Sequence, residues 1–253
     1  MYLNLVQYSP VWENKETNKE KLIKLISGNL INKSVLILPE MTLTGFTMNS
    51  STFAEDLKGE SFQFYSKIAM DNNIHVIAGL IEKDNESFYN TLIHINPSGK
   101  LVCSYRKIHP FSYSSENKFY TAGIKTVITE INGWKTGLSI CYDLRFPELF
   151  RQYAKKSVEL IIVIANWPDT RIGQWKTLLS ARAIENQCYV AAVNRVGDHL
   201  KLHYNGCSSV YDPMGNEIAS LPDLEKVISA DISKENVIQV RSKFPFLDDI
   251  SLI

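Results

Sequence analysis

The chain reads as one layered α/β domain, and three features of the sequence predict this. Strand and helix signals alternate along most of it, two such alternating stretches are separated by hairpin signals, and no Gly/Ser-rich linker or low-complexity segment divides the 253 residues. A chain of this length can bury roughly three quarters of its unfolded surface as a single large domain. A sheet packed on a sheet, with helices outside both, would accommodate the two halves.

The elements follow in order. Residues 2–8 and 35–38 read as strands, with a helix over 18–31 between them that sets Leu22, Ile23, Leu25, Ile26 and Leu30 on one face. A second helix over 60–72 carries Phe62, Phe64, Tyr65, Ile68 and Ala69. Strands at 75–80, 88–95 and 100–105 follow, the last two joined by the turn Asn96-Pro97-Ser98-Gly99. Ile131-Asn132-Gly133 joins strands at 126–130 and 134–140. Pro147 suits the first position of a helix over 147–156. Strand 158–164 holds the longest apolar run, Leu160 to Ala165, which is far too short to cross a bilayer. A helix over 172–187 and strands at 189–194, 207–211 and 226–231 complete the pattern, with a turn at Asp212-Pro213-Met214-Gly215-Asn216. From about 233 a tail of mixed charge carries Arg241 and the anchors Phe244, Phe246 and Leu247. It reads either as an extension packed on its own subunit or as an arm reaching a partner.

Bulk properties exclude several roles. Lys plus Arg and Asp plus Glu both count 27, so nothing in the charge favours nucleic acid or an anionic membrane as a partner. Residues 1–8 lack a basic start and a long apolar stretch, so no secretion signal is expected. The four cysteines at 103, 141, 188 and 207 show neither C-x-x-C pairing nor metal-ligand spacing. Reduced thiols in the cytoplasm, and no metal or other cofactor, are the expectation.

Chemistry concentrates at strand ends. Cys141 closes the strand from Trp134 and precedes the helix that Pro147 opens. A lone Cys is usually a small buried hydrophobe. A strand-to-helix turn, however, displays a nucleophile beside a following backbone N–H. Leu38-Pro39-Glu40 ends an earlier strand and Tyr105-Arg106-Lys107 another. Each alone reads as a solvated surface charge. Together they close a scheme: a carboxylate takes the thiol proton, the thiolate attacks a carbonyl, and an ammonium holds the oxyanion.

Leu38-Pro39-Glu40 with Thr44-Gly45-Phe46, Tyr105 to His109, and Cys141-Tyr142-Asp143-Leu144-Arg145-Phe146-Pro147-Glu148 resemble the nitrilase superfamily of carbon–nitrogen hydrolases. Ala165-Asn166-Trp167-Pro168, Ala181 to Gln187 and Val193-Asn194-Arg195-Val196-Gly197 extend the likeness over almost the whole chain. The resemblance implies a four-layer α-β-β-α sandwich that pairs into a homodimer. It also implies a Glu-Lys-Cys set carried onto Glu40, Lys107 and Cys141, and a second carboxylate near the Lys, for which Glu116 is the candidate. The backbone N–H of Tyr142 would join Lys107 at the oxyanion.

The Cys-Tyr-Asp-Leu-Arg-Phe-Pro-Glu and Ala-Arg-Ala-Ile-Glu-Asn-Gln segments look most like the omega-amidase branch, which cleaves the terminal amide of short dicarboxylate monoamides such as 2-oxoglutaramate and 2-oxosuccinamate. Deaminated glutathione is the competing substrate. Arg145 could grip the far carboxylate of a small substrate, or form a structural ion pair with Glu148 or Asp143. Trp167, Phe46 and Phe111 are candidate apolar walls, or core aromatics. A thiol sensor would need no Glu40 or Lys107, and no resolving Cys lies near. A non-catalytic binding protein on the same fold is the other alternative. No His sits in a Cys-His protease signature; His109 reads as a loop-ordering residue. His199 and His203, four apart, lie where no helix is signalled, which argues against a metal site.

Overall fold

The structure, a computed structural model, describes residues 1–251. Its first half builds β1 (Tyr2–Gln7), α1 (Lys15–Ile26), β2 (Val35–Ile37), α2 (Ser50–Phe53), α3 (Glu60–Asn72), β3 (His75–Asp84), β4 (Ser87–Ile95) and β5 (Leu101–Arg106). The second half builds β6 (Ile128–Ile131), β7 (Trp134–Ile140), α4 (Pro147–Lys155), β8 (Leu160–Ile164), α5 (Ile172–Asn186), β9 (Tyr189–Val193), β10 (Val196–His199), β11 (Leu202–Tyr211) and β12 (Glu217–Pro222). β13 (Lys226–Asp231) and α6 (Lys234–Lys243) follow.

Two sheets result, with strand orders β13-β1-β2-β3-β4-β5 and β10-β11-β9-β8-β7-β6, β12 adding to β11. At the heart of each lies a parallel triplet, β1-β2-β3 in one and β7-β8-β9 in the other. Strand alternation explains the layering. Leu3, Leu5, Val35, Ile37, Ile77 and Leu92 join a core shared with the second sheet. Their neighbours Val6, Leu36, Val76, Ala78 and Ile93 pack instead with Leu22 and Ile26 of α1 and Tyr65, Ile68 and Ala69 of α3. In the second sheet all five residues of β8 are buried, and Phe150 and Tyr153 of α4 and Trp175 and Leu179 of α5 cover its outer side. A period of two with both faces covered yields an α-β-β-α sandwich.

Some boundaries differ from the sequence reading. The first helix starts at Lys15, because the Asn14 side chain accepts from the Thr17 N–H (3.0 Å), and it stops before Gly28, whose φ is +72°. The strand read at 207–211 begins at Leu202 and forms a hairpin with β10, which carried no signal of its own. β12 and α6 are likewise additional. The tail packs on its own chain: Arg241 donates to the Gln187 and Val158 carbonyls (3.0 and 2.6 Å), and Gln187 Nε2 donates to the Phe244 carbonyl (2.8 Å). The Gln187 carbonyl is one left over at the end of α5, and the Phe244 carbonyl one at the end of α6.

A polar seam joins the two sheets. His75 Nδ1 and His94 Nε2 are 2.9 Å apart, and His94 Nδ1 lies 2.8 Å from Thr129 Oγ1 on β6. Burial holds His94 neutral, lowering its pKa to about 3, and the neighbouring His75 adds to the effect. Because the folded pKa lies below the ordinary value of 6.5, stability from this residue is complete above that pH and lost as pH falls through the window toward 3. Between pH 6.5 and 5 the loss is about 2 kcal/mol for one proton. Thermal melts across that range should show Tm falling for the wild type and a flatter profile for His94→Gln. Parallel profiles would remove His94 as the cause.

Candidate active site

The residues of interest gather beyond the C-terminal ends of β2, β5, β7 and β8, the side on which α/β sheets present ligand sites. Glu40 follows β2, Lys107 follows β5, Cys141 follows β7 and Asn166 follows β8. Two left-handed residues turn the chain there: Met41 (φ +44°), directly after Glu40, and Cys141 itself (φ +47°). A non-glycine residue in this region costs roughly 1–3 kcal/mol and persists only where its surroundings enforce it.

Asp143 enforces it at Cys141. Its buried carboxylate accepts from the backbone N–H of Ile140 (3.0 Å), the backbone N–H of His109 (3.0 Å), and the Tyr105 hydroxyl (2.7 Å), and lies 2.7 Å from His109 Nδ1. One side chain thus ties the Cys141 turn to the segment carrying Lys107. The His109 ring stacks on Phe146 (centroids 3.8 Å apart), in keeping with the loop-ordering role read from sequence.

Close packing enforces the turn at Glu40. Gly79 of β3 passes directly under it: a β-carbon there would stand 2.5 Å from Met41 N, 2.8 Å from Pro39 O and 2.9 Å from Glu40 Cα. Backbone atoms cannot yield as a flexible side chain does. Gly79→Ala is therefore expected to lose about 1–3 kcal/mol of stability by overpacking. It should also displace Glu40, cutting turnover at least tenfold. Unchanged Tm and kcat would refute the reading.

Glu40, Lys107 and Glu116 form one buried cluster, each 1% exposed or less. Lys107 Nζ donates to Glu40 Oε1 (2.9 Å) and to both oxygens of Glu116 (2.9 and 3.1 Å). Asn90 Nδ2 donates to Glu40 Oε1 (2.7 Å) and Glu116 Oε1 (2.8 Å). Glu116 also accepts from the Phe111 N–H (2.5 Å), so it is no ordinary loop carboxylate. Burial works against the Lys107 charge, but Glu116 and then Glu40 outweigh it and hold its pKa well above the usual value. The two carboxylates thus favour the ammonium form of Lys107.

The thiol lies between this cluster and a cleft. Cys141 Sγ is 3.9 Å from the Asn166 carbonyl oxygen, while the Asn166 N–H donates to Glu40 Oε2 (2.8 Å). Asn166 therefore touches both partners of the expected proton transfer. Burial, and then the Glu40 charge, push the thiol pKa well up, and Lys107 opposes them. The resting sulfur is a protonated thiol that needs a base to become a nucleophile.

The cleft is walled by Phe46, Phe111, Tyr142, Trp167 and Tyr204, with Arg145 and Arg171 as its cations. All three aromatics read as walls from sequence are thus present; Phe46 also lies under Lys107, with Nζ 5.2 Å from its ring centroid. Neither ion pair considered for Arg145 forms. Asp143 is fully engaged elsewhere, and the Arg145 guanidinium donates to the neutral Gln174 Oε1 (2.6 Å) and lies 4.7 Å from the Trp167 ring. The two histidines of the β10–β11 hairpin are occupied separately, His199 stacked on Trp12 and His203 beside Asp198.

Sequence reasoning did not single out Asn90, Asn166, Arg171 or Tyr204. Asn166 stood inside a quoted motif, and Asn90 was a polar interruption in an apolar strand; neither carries a reactive group that announces a role. Arg171 lies just after Pro168, close to that motif, and Tyr204 lies in the part of β11 that precedes the strand read at 207–211.

A sandwich of this architecture, with carboxylate, ammonium and thiol at its strand ends, defines a class of enzyme that opens carbon–nitrogen bonds. The family model for carbon–nitrogen hydrolases matches residues 3–242, and the chain belongs to that family. A 2-oxoglutaramate amidase from Bacillus subtilis is 33% identical over 250 residues, covering 98% of this chain and 96% of that protein. A deaminated glutathione amidase from Dictyostelium discoideum is 34% identical over 255 residues, covering 92% and 88%. The crystal structure of XC1258 from Xanthomonas campestris, a CN-hydrolase superfamily protein with an arsenic adduct in its active site, has a TM-score of 0.95 at 33% identity, covering 100% of this chain and 98% of that one. The fold is thus that of the nitrilase superfamily, and the chain is an amidase of the carbon–nitrogen hydrolase family.

Proposed function

We propose that the enzyme is an omega-amidase that cleaves the terminal amide of a short dicarboxylate monoamide, of the 2-oxoglutaramate or 2-oxosuccinamate type, with Glu40, Lys107 and Cys141 as its catalytic residues. The observation that carries this reading is Arg145, a guanidinium on the wall of the cleft that holds the thiol, hydrogen-bonded only to a neutral amide. A cation without a carboxylate partner beside a reacting centre suits an anionic substrate end.

Glu40 takes the Cys141 proton and the thiolate attacks the amide carbonyl. The developing oxyanion is held by Lys107 and the Tyr142 N–H. Lys107 makes two contacts to Glu116, so one ammonium proton can turn to the oxyanion while Glu116 keeps the other. Glu40 returns the proton to departing ammonia, leaving a thioester. It then draws a proton from water, which attacks and releases the acid and the thiol.

Ammonia as the leaving group is supported by the burial of the set: Glu40, which must protonate it, is 1% exposed and enclosed by Lys107, Asn90 and Asn166. The test compares kcat/KM for 2-oxoglutaramate and deaminated glutathione; a large preference for the second would overturn the substrate assignment. A homodimer belongs to the same reading, supported by exposed Ile184 on α5 and by Ile238 and Phe246 in the tail. So does a cytoplasmic location, supported by cysteines left free and by the absence, among the described residues, of a helix long and apolar enough to cross a membrane.

A further inference from the structure

The cleft holds a second cation that the scheme above leaves idle. Arg171 follows Trp167-Pro168 in the short turn of Asp169–Arg171 that precedes α5. Its backbone is fixed to the cleft wall: its carbonyl accepts from Trp167 Nε1 (2.9 Å) and its N–H donates to the Pro168 carbonyl (3.2 Å). The guanidinium lies 5.6 Å from the Phe111 ring centroid, and Tyr204 lines the same cleft. Among the described residues no carboxylate pairs with it, and none pairs with Arg145. Two half-buried guanidiniums therefore face a largely aromatic space, one more than a single carboxylate requires.

Resting on the functional reading above, we propose that Arg171 is a specificity-determining residue that reads the substituent on the carbon next to the far carboxylate. With the carboxylate on Arg145, Arg171 donates to an oxygen at that carbon, as in a 2-oxo acid. A 2-amino acid places an ammonium at the same point, where it meets a like charge. The site thus separates the 2-oxo amide from the amino-acid amide of the same length by charge, although the two have nearly the same shape.

The test measures kcat/KM for 2-oxoglutaramate and for L-glutamine in the wild type, Arg171→Met and Arg171→Lys, with melting curves for each. The wild type should strongly prefer the oxo substrate. Arg171→Met should lower that ratio roughly ten- to a hundredfold, the worth of a hydrogen bond to a charged group. Arg171→Lys, which keeps the charge, should hold most of it. A ratio within about twofold of wild type in Arg171→Met overturns the proposal. If Arg171→Met does not fold, Arg171→Gln replaces it with the same criterion. If the wild type does not hydrolyse 2-oxoglutaramate, the functional reading fails by itself. Arg171 is then judged by calorimetry on Cys141→Ala: tighter binding of 2-oxoglutarate than of L-glutamate, lost on adding Arg171→Met, upholds it, and equal or absent binding overturns it.

Discussion

Cys141→Ala is expected to give a folded protein that releases no measurable ammonia from any amide the wild type cleaves. The loss should reach roughly four to six orders of magnitude, the scale on which a nucleophile acting in a concerted set is missed. Without sulfur no thioester forms, and the remaining oxyanion donors have no attacking atom to serve. The fold should survive. The left-handed backbone at this position is imposed by Asp143 and its four donors, none of which involves the sulfur. Removing one atom from a half-buried side chain costs little beside a core truncation. Ammonia release and a melting curve on the same preparation check both halves. Retained turnover would remove Cys141 from the chemistry.

The second large effect falls on stability as well as rate. Lys107→Met leaves Glu40 and Glu116 facing each other without the ammonium that both contact. Breaking a buried ion pair from one side costs about 3–5 kcal/mol, because the orphaned charge stays buried. For a chain of this size that is a Tm drop on the order of 10 °C. Activity should vanish with it. The double variant Lys107→Met/Glu116→Gln separates the two losses. It should regain part of the stability, since one carboxylate charge is gone, and none of the activity, since the oxyanion still lacks its cation. A Lys107→Met protein as stable as wild type would show that the cluster is far wetter than its burial implies.

What was legible in the sequence, and what was not, divides along physical lines. β8 announced itself because both of its faces are covered, leaving an unbroken apolar run. Cys141, Glu40 and Lys107 stood out because strand ends are easy to locate and their side chains have few ways of being useful together. β12 was silent because it is an edge strand with one wet face, its residues mostly exposed or half-buried. α6 was silent because it buries only Val237 and Val240 and is otherwise polar. Arg145 could be placed at the site but its partner could not, since choosing between Glu148, Asp143 and Gln174 needs α5 folded back over the turn. Asn90 and Asn166 act through placement alone, and placement is what three-dimensional assembly adds.

The cluster of Glu40, Lys107 and Glu116 has one more consequence. Two carboxylates and one ammonium, sealed together, carry a fixed charge of minus one. If the thiol proton left for solvent, the site would have to hold minus two in a space with almost no water. Handing that proton to Glu40, from Glu40 to nitrogen, and drawing the next from the attacking water moves charge around the cluster without changing its sum. On this scheme each turnover begins and ends with the same ionic inventory, and bulk solvent need do no more than deliver one water and accept ammonia and the acid. The chemistry is then a closed circuit of protons, kept from solvent by the burial of the cluster at the strand ends.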